Sequence, residues 1–522
     1  MGETASRWRD RWGAWELCLA AWGFVVALLA FPPGRVWLLA VVAPAPLWVS
    51  CLEGTPRRGL WRGWLYGLGF FGGLVWWVVP TMHRYGGLPW SAAGACLLVL
   101  SAYLALYPAL CGAAVAAAGN RSSGLALALA PLLWTGLEGA RGVALTGFPW
   151  GDLPQALWRV EGALALAPWI GIDGVRLVVA SLAGVLAWAG SGGLRRHRLP
   201  WVGLLPAGVL LPAAAILLAL PRPAAPRAGE VRIGVVQGDI DQAQKWDPAF
   251  RRATLQTYLS LTRKLIQADG RPDLAVWPET AMPVLFQEPG PLRAELQRFA
   301  RDQRLPILFG APAYQSTGDR FEGRNAVFLL DETGAVAGRY DKVHLVPFGE
   351  YIPLGRFLPF VGKLVEGVGD FTPGPGATPL VARPTLPTLG PLICFEVIFP
   401  GLAAEHARQG AQVLAVVTND GWFGRTPGPY QHLAFAAWRA AETGLPLVRA
   451  ANTGVSAAFD GRGRLLQATA LQTRDAFAVT LSYPQPGETP QGRIRPWISP
   501  SCLALALAGV FGTISRSAHR RR

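Results

Sequence analysis

The sequence is poor in charged residues. Lys, Arg, Asp and Glu make up only 16% of the 522 residues, whereas 51% are hydrophobic, and the mean hydropathy is +0.29. An average soluble domain is about 25% charged. The shortage of charge therefore excludes an ordinary soluble protein and predicts an integral membrane protein.

Cysteine is also scarce, and the few cysteines are unevenly placed. Five of the six lie in long apolar segments: Cys18, Cys51, Cys96, Cys111 and Cys502. No disulfide framework is expected from this distribution. Cys394 is the only cysteine between about residues 222 and 495, and it follows the apolar run LGPLI. A lone cysteine after a buried strand is a candidate nucleophile.

Two classes of function lack their usual signals. The six histidines show no metal-ligand spacing, so we expect no metal site and no cofactor. The net charge of +15 could indicate nucleic-acid binding, but many arginines border apolar segments and no basic, aromatic-interleaved stripe is present. A GxGxxG match at Gly67, Gly69 and Gly72 lies inside an apolar run, which favours close helix packing over nucleotide binding.

What the sequence does contain is a series of apolar segments of about membrane-spanning length. They cover residues 15–31, 36–52, 60–79, 90–118, 122–140, 174–190, 200–220 and 497–515. These segments predict about eight transmembrane helices, seven within 1–222 and the last within 495–522. Glu138 and Arg141 lie near the end of the fifth segment, where pairing at the helix end is favoured over a lipid head-group contact.

The pattern of apolar and polar residues changes after the Pro- and Ala-rich linker at 221–230. Residues 231–490 alternate short apolar strands with amphipathic helices, which indicates a layered α/β domain with its chemistry at the strand ends. The predicted strands are 231–237, 274–279, 306–314, 325–331, 389–396, 413–420, 446–452 and 456–460. The predicted helices lie at 249–268, 291–303, near 400–409 and near 431–443.

Three chemically complementary residues end apolar runs in this domain. Glu279 lies in LAVWPET, Lys342 in GRYDKVHLVPFGEY and Cys394 in TLGPLICFE. A thiol nucleophile needs a base, and acyl transfer needs a donor for the oxyanion that forms on the attacked carbonyl. We expect Glu279 to be the base, Lys342 the cationic donor together with the backbone N–H of Phe395, and Cys394 the attacking sulfur.

These motifs, with VVQGDIDQAQKWD, NDGWFG and RAANTG, resemble the nitrilase superfamily of carbon–nitrogen hydrolases and, more closely, the apolipoprotein N-acyltransferases of bacterial envelopes. The resemblance covers nearly the whole chain. It implies a helical membrane bundle with a periplasmic, nitrilase-like α-β-β-α sandwich. It also implies a monomeric, multi-pass protein of the bacterial inner membrane, with Glu279, Lys342 and Cys394 as a catalytic triad.

The same resemblance implies roles for residues around the triad. Glu350 in PFGEY would orient Lys342 or share its charge, unless it is only a carboxylate at a helix N-terminus. Four further residues would bind substrate: Trp246, Glu396, Trp422 and Phe423. Core packing remains the alternative for the three aromatic residues.

The activity that the resemblance implies is the last step of lipoprotein maturation. An acyl chain would pass from a phospholipid, with phosphatidylethanolamine as the expected donor, through a thioester on Cys394 to the α-amino group of an N-terminal diacylglyceryl-cysteine. Two alternatives remain open: a membrane-tethered amidase or nitrilase acting on small C–N substrates, and a catalytically inactive scaffold of the same fold.

One segment does not fit the alternation of predicted strands and helices. Residues 351–371, YIPLGRFLPFVGKLVEGVGDF, are apolar but contain Pro and Gly and are too short to span a bilayer. They are interpreted either as a mobile arm resting on the bilayer beside the active site or as a buried hairpin. The arm is the favoured interpretation.

The distribution of arginine predicts the topology, because Lys and Arg are retained on the cytoplasmic side of short loops. Basic residues precede the first segment and follow the second, fourth, sixth and eighth, so both termini should be cytoplasmic and residues 231–490 outside. Reporter fusions at residues 56, 195, 350 and 522 test this. Alkaline phosphatase activity should appear at 350 and be absent at 195, and the reverse result would overturn the topology.

Overall fold

The computed structural model of the protein describes residues 2–193, 201–222, 226–245, 247–317, 320–352 and 371–520. The chain divides into two units. The first comprises Met1–Val79, Pro89–Arg222 and Arg493–Arg522, and the second Pro80–Leu88 and Pro223–Gly492. Helices build the first unit, and both β-sheets belong to the second.

The helices of the first unit follow the apolar segments. They are α1 (Gly2–Ala30), α2 (Leu38–Val42), α3 (Ala45–Cys51), α4 (Pro56–Leu74), α6 (Trp90–Leu104), α7 (Leu106–Gly119), α8 (Ser123–Arg141), α9 (Glu161–Trp188), α10 (Leu205–Ala219) and α16 (Gln491–Arg520), while α5 (Val78–Gly86) lies mostly in the second unit. Side-chain oxygens cap two of the starts, since Thr55 accepts from the N–H of Arg58 and Ser122 from that of Leu125.

The count of eight membrane spans is not confirmed, although every predicted segment is helical. Within the described residues, five helices are long and apolar enough to cross a membrane, or up to six if the bent pair Pro56–Leu74 and Val78–Gly86 is one span. The segment at 36–52 is broken between Val42 and Ala45, where Pro44 interrupts the hydrogen-bonded ladder. The helix α8 carries Glu138 and Arg141 and is not among the five.

Close helix packing explains two of the three glycines in the GxGxxG match. An added Cβ at Gly67 would lie 2.6 Å from the Cγ of Pro108, and one at Gly69 would collide with the backbone of Ala20. Gly72 has only ordinary contact with a side chain, at 3.9 Å from the Oγ of Ser101. The first two therefore let neighbouring helices approach closely, as expected for small residues in a membrane bundle.

The charges inside the helical unit are paired. Arg141 bonds the carboxylate of Glu138 and donates to the carbonyl oxygens of Phe148 and Trp150. This geometry supports pairing at the helix end. Sequence analysis missed a second pair, in which Arg176 Nε donates to Asp152 Oδ1 at 2.7 Å. Pairing is what makes such charges tolerable in an apolar interior.

The second unit contains two β-sheets. The strands are β1 (Arg227–Gln237), β2 (Leu274–Val276), β3 (Ile307–Thr317), β4 (Arg320–Leu330), β5 (Val336–Asp341), β6 (Leu389–Ile393), β7 (Val413–Thr418), β8 (Leu447–Ala451), β9 (Ala457–Phe459), β10 (Leu465–Ala468) and β11 (Asp475–Pro484). One sheet has the order β11-β1-β2-β3-β4-β5 and the other β10-β9-β8-β7-β6. In each sheet three consecutive strands are parallel, β1-β2-β3 and β6-β7-β8.

Helices cover the outer faces of the two sheets. The remaining helices are α11 (Gln242–Lys245), α12 (Arg251–Asp269), α13 (Pro291–Gln303), α14 (Pro400–Arg408) and α15 (Gly428–Thr443). Apolar residues of α12 and α13 form one core with strands β1 to β4. Residues of both sheets form a second core between them, and α14 and α15 contact the smaller sheet. This arrangement is the expected α-β-β-α sandwich.

Strand boundaries depart from the prediction at informative places. The strand predicted at 389–396 ends at Ile393, where the backbone turns into a 3₁₀ helix from Cys394 to Ile398. Three strands were not predicted, namely β5, β10 and β11. All three lie at sheet edges and are partly exposed, so their hydrophobic alternation is weak.

Candidate active site

Cys394 lies directly after β6 in a strained conformation. Its φ is +52°, which costs a residue with a Cβ about 1–2 kcal/mol and persists only where the surrounding structure enforces it. The turn ends the strand and starts the short 3₁₀ helix, and the residue remains partly exposed. A nucleophile at such a turn combines a fixed position with access to substrate.

Glu279 follows β2 and is held by both sheets. Its Oε1 accepts from Asn325 Nδ2 at 2.7 Å, and its Oε2 from the backbone N–H of Asn419 at 2.9 Å. Its backbone packs against Gly310 of β3, where an added Cβ would lie 2.6 Å from the Cα of Glu279. The Nζ of Lys245 donates to the Glu279 carbonyl oxygen at 2.8 Å. The carboxylate therefore has little freedom to turn.

Lys342 follows β5 and lies between two carboxylates. Its Nζ is 2.9 Å from Glu350 Oε1 and 3.9 Å from Glu279 Oε1. Asn325 joins the two acids, since its Nδ2 also donates to Glu350 Oε1 at 2.8 Å. Glu350 Oε2 accepts from the N–H of Val346 at 2.8 Å. Glu350 thus contacts Lys342 directly, which favours an orienting role over that of a helix-terminal carboxylate.

The electrostatics keep the resting site as a thiol beside an ammonium. Burial raises the pKa of Cys394 to about 12, the charge of Glu279 adds to this effect, and Lys342 opposes it. Burial alone would lower the pKa of Lys342, but Glu350 and Glu279 outweigh burial and raise that pKa above its ordinary value. Lys342 is therefore charged at neutral pH, and the thiol must give up its proton to a base when it reacts.

The contacts of Glu396 do not favour binding substrate. Its side chain is fully buried, and its Oε1 accepts from Tyr340 Oη at 2.9 Å and from the N–H of Val343 at 2.6 Å. Its Oε2 accepts from the N–H of Ile393 at 2.7 Å. Burial raises the pKa of Glu396 to about 7, against the effect of its hydrogen bonds. These bonds tie the segment that follows β5 to the turn at Cys394.

Of the aromatic residues predicted at the site, the structure describes Phe395, Trp422 and Phe423. Phe395 packs edge-on against Phe399, with ring centroids 5.3 Å apart. Trp422 and Phe423 are half-buried in the 3₁₀ helix Asp420–Phe423. Tyr85 packs edge-on against Trp422 at 5.1 Å. Trp246 lies outside the described residues, as does the arm at 351–371 except for its first two residues and its last one.

Sequence analysis missed several residues that hold Glu279 of the predicted triad, chiefly Asn325, Asn419 and Lys245. Asn325 opens the run NAVFLLD, where a polar residue at a strand start carries no special signal. Asn419 belongs to the NDGWFG motif and Lys245 to KWD, so both lie in stretches that the resemblance had already marked. For metals, no group of three or more His, Cys, Asp or Glu side chains suited to an ion occurs among the described residues.

Comparison with known proteins identifies relatives over nearly the whole length. The family model described as carbon–nitrogen hydrolase matches residues 232–489, and that described as apolipoprotein N-acyltransferase N-terminal domain matches residues 23–185. The apolipoprotein N-acyltransferase of Geobacter metallireducens is 38% identical and aligns over 87% of each chain. That of Methylococcus capsulatus is 36% identical over 92% of this chain and 93% of its own.

Solved structures match the sandwich more distantly. A member of the nitrilase superfamily from Saccharomyces cerevisiae is 18% identical, with a TM-score of 0.39, and covers 50% of this chain and 93% of its own. An amidase of the same superfamily from Nesterenkonia is 21% identical, with a TM-score of 0.38, and covers 53% of this chain and 98% of its own.

The double contact of Asn325 predicts that this amide is needed to hold the two carboxylates. In Asn325→Asp, a carboxylate oxygen would replace the donor and repel both Glu279 and Glu350. We expect Cys394 acylation to slow by about 10- to 100-fold, the scale of a small displacement of catalytic groups. Acyl-enzyme formation, followed by mass spectrometry, measures the effect. Asn120→Asp, at an exposed helix end, is the matched control, and an unchanged rate in Asn325→Asp would contradict the role.

Proposed function

Because the chain belongs to the apolipoprotein N-acyltransferase family, we propose that it transfers an acyl chain from a phospholipid to the α-amino group of an N-terminal diacylglyceryl-cysteine on a lipoprotein. The observation that carries the proposal is a cysteine in a strained turn. The charges of Glu279 and Lys342 act on the pKa of its thiol in opposite directions. The family relationship makes the protein an acyltransferase, and the chemistry of the site suggests how transfer proceeds.

The first half-reaction forms an acyl-enzyme. Glu279 takes the proton of the Cys394 thiol while the sulfur attacks the ester carbonyl of the phospholipid. The oxyanion forms beside the ammonium of Lys342 and the backbone N–H of Phe395. When the ester C–O bond breaks, the leaving alkoxide receives the proton from Glu279. A thioester on Cys394 and a lysophospholipid result.

The second half-reaction uses the same groups in the reverse sense. The α-amino nitrogen of the diacylglyceryl-cysteine attacks the thioester, and Glu279 accepts the proton that the nitrogen loses. The C–S bond breaks, and Cys394 recovers its proton from Glu279. An amide is more stable than a thioester, so transfer proceeds without a cofactor, and the kinetics are ping-pong.

The pKa of Cys394 explains why a base as close as Glu279 is needed. A thiol with a pKa of about 12 is almost entirely protonated at pH 7, and each pKa unit corresponds to about 1.4 kcal/mol. Lys342 stays positive because Glu350 and Glu279 raise its pKa. It therefore stabilises first the thiolate that forms and then the oxyanion. Glu350 acts by fixing Lys342.

Substrate access and location complete the proposal. We propose that Trp246, Trp422 and Phe423 contact the acyl chains. Phosphatidylethanolamine is the proposed acyl donor. Glu396 is given a positioning role in place of a substrate contact, because its oxygens are taken up by protein donors. The arginine distribution supports a catalytic domain that faces the periplasm. The family relationship supports a place in the bacterial inner membrane, and the protein is proposed to act as a monomer.

Cys394→Ala should abolish acyl transfer, with a loss of at least about 1,000-fold, because no other group forms the thioester. Wild-type protein mixed with phosphatidylethanolamine should accumulate one acyl mass on Cys394, and a diacylated lipopeptide should then remove it as N-acyl product. Mass spectrometry of the protein and the peptide follows both steps. Cys18→Ala, at an exposed cysteine, is the matched control. Acyl mass on another residue would end the assignment, and release of free fatty acid alone would favour a hydrolase.

The arm at 351–371 provides a second test. Acyl chains are costly to expose to water, at about 0.8 kcal/mol per CH₂, and an apolar segment close in sequence to Lys342 could shield them between half-reactions, as lids do in other enzymes. Replacing Phe357, Leu358 and Phe360 with Ser should slow acylation by phospholipid but leave alkylation of Cys394 by iodoacetamide unchanged. Unchanged acylation kinetics would refute the lid role. A loss of folding or of thiol reactivity would favour a buried hairpin.

A further inference from the structure

A buried polar cluster lies behind Cys394 and takes no part in the chemistry described above. It consists of Asp420 at the start of a 3₁₀ helix, His432 on α15 and Arg449 on β8. The three side chains are at most 1% exposed. Buried charged groups are rare unless they are paired or have a task, so this cluster needs an explanation.

The cluster is ordered around the imidazole of His432. Its Nδ1 lies 2.9 Å from Asp420 Oδ1 and 3.1 Å from a nitrogen of Arg449. Arg449 also donates to Asp420 Oδ2 at 2.5 Å, and Thr418 Oγ1 donates to Asp420 Oδ1 at 3.0 Å. Burial would raise the pKa of Asp420, but Arg449 and His432 outweigh burial and hold it well below its ordinary value. The aspartate is thus a permanent anion that holds Arg449, and Arg449 in turn donates to Nδ1 of the ring. Burial and the charge of Arg449 lower the pKa of His432, so the ring is neutral and has a single N–H.

The other ring nitrogen, Nε2, points at the backbone carbonyl of Cys394. His432 Nε2 lies 3.1 Å from the backbone carbonyl oxygen of Cys394. A carbonyl oxygen can only accept, so Nε2 carries the hydrogen and donates it. Three elements from different parts of the chain therefore fix one oxygen atom, the carbonyl of the catalytic cysteine itself.

Fixing that oxygen also fixes the next N–H group. The peptide between Cys394 and Phe395 is planar and trans, so its C=O and N–H point in opposite directions. A hydrogen bond that holds the oxygen toward His432 turns the N–H of Phe395 toward the other side of the peptide. The same hydrogen bond helps to hold the positive φ of Cys394, because a strained residue keeps its conformation only when its surroundings impose it.

We propose that His432, anchored by Asp420 and Arg449, is a positioning residue that aims the backbone N–H of Phe395 at the oxyanion. The inference rests on the proposed function, since it assigns that N–H to the oxyanion formed when Cys394 attacks an acyl carbonyl. The cluster acts on the rate of acylation through geometry. His432 itself neither touches substrate nor exchanges a proton with it.

The test separates this role from general support of the fold. His432→Leu removes the donor, His432→Gln keeps an N–H that reaches about as far as Nε2, and His432→Asn keeps one that is too short. His406→Leu is the matched control, because His406 is also a fully buried histidine of the smaller sheet's helical layer. Each variant is compared by melting temperature, by alkylation of Cys394 with iodoacetamide and by acylation.

Acylation is measured with two donors, phosphatidylethanolamine and p-nitrophenyl butyrate. Alkylation has no oxyanion, so we expect its rate to stay within about two-fold of wild type. The rate of acylation by both donors should fall about 10- to 100-fold in the Leu and Asn variants. This fall is smaller than the one expected when an oxyanion donor is removed altogether. The Gln variant should recover most of the rate, and His406→Leu should acylate as wild type does.

Wild-type acylation rates in the Leu and Asn variants would overturn the proposal. So would alkylation and acylation that fall together with the melting temperature, because that pattern marks a structural role. If the Leu variant does not fold, the difference between Gln and Asn decides. Acylation of the wild type by the nitrophenyl ester but not by the phospholipid would refute the proposed donor and still leave the role of His432 tested.

Discussion

The site depends on one buried ammonium shared by two carboxylates. Lys342 is 1% exposed, yet it is charged, because Glu350 at 2.9 Å and Glu279 at 3.9 Å compensate the loss of water. An unpaired charge in such a place would be untenable. Asn325 joins the two acids by donating to both, and a second ammonium, that of Lys245, donates to the backbone carbonyl oxygen of Glu279. Each carboxylate is therefore held by both Lys342 and Asn325.

That arrangement exists only because the two sheets are packed together. Glu279 and Lys342 follow strands of the larger sheet, whereas Cys394 and Asn419 follow strands of the smaller one. The apolar core between the sheets holds the two sets of strand ends in register. The backbone N–H of Asn419 on Glu279, at 2.9 Å, is a direct bond between groups that the sheets bring together. Apolar burial, which has no direction of its own, thus sets a geometry accurate enough for hydrogen bonds.

The elements that were predicted and those that were missed differ in burial. The interior strands carry continuous apolar runs and were predicted, whereas β5, β10 and β11 lie at sheet edges with many exposed positions. The strand predicted at 389–396 is three residues too long, because β6 ends at Ile393, and this error has another cause. Nothing in the local sequence indicates a left-handed turn at a cysteine, because such a conformation is imposed by neighbours distant in the chain. The count of eight membrane spans stays a prediction, because apolar length alone does not reveal a break such as the one at Pro44.

By itself, the sequence determined the division into an apolar helical part and an alternating α/β part, and it predicted Glu279, Lys342, Glu350 and Cys394 as active-site residues. Composition and periodicity are local properties, and the motifs around these residues are short. Only the tertiary structure decided how the residues are held. It gave Asn325 its bridging contacts, placed Glu396 within reach of four protein donors and brought His432 to the backbone carbonyl of Cys394. Apart from the bond between Ile393 and Glu396, these contacts join residues at least 25 positions apart in the chain, so their physical cause is the packing of two sheets and their helices.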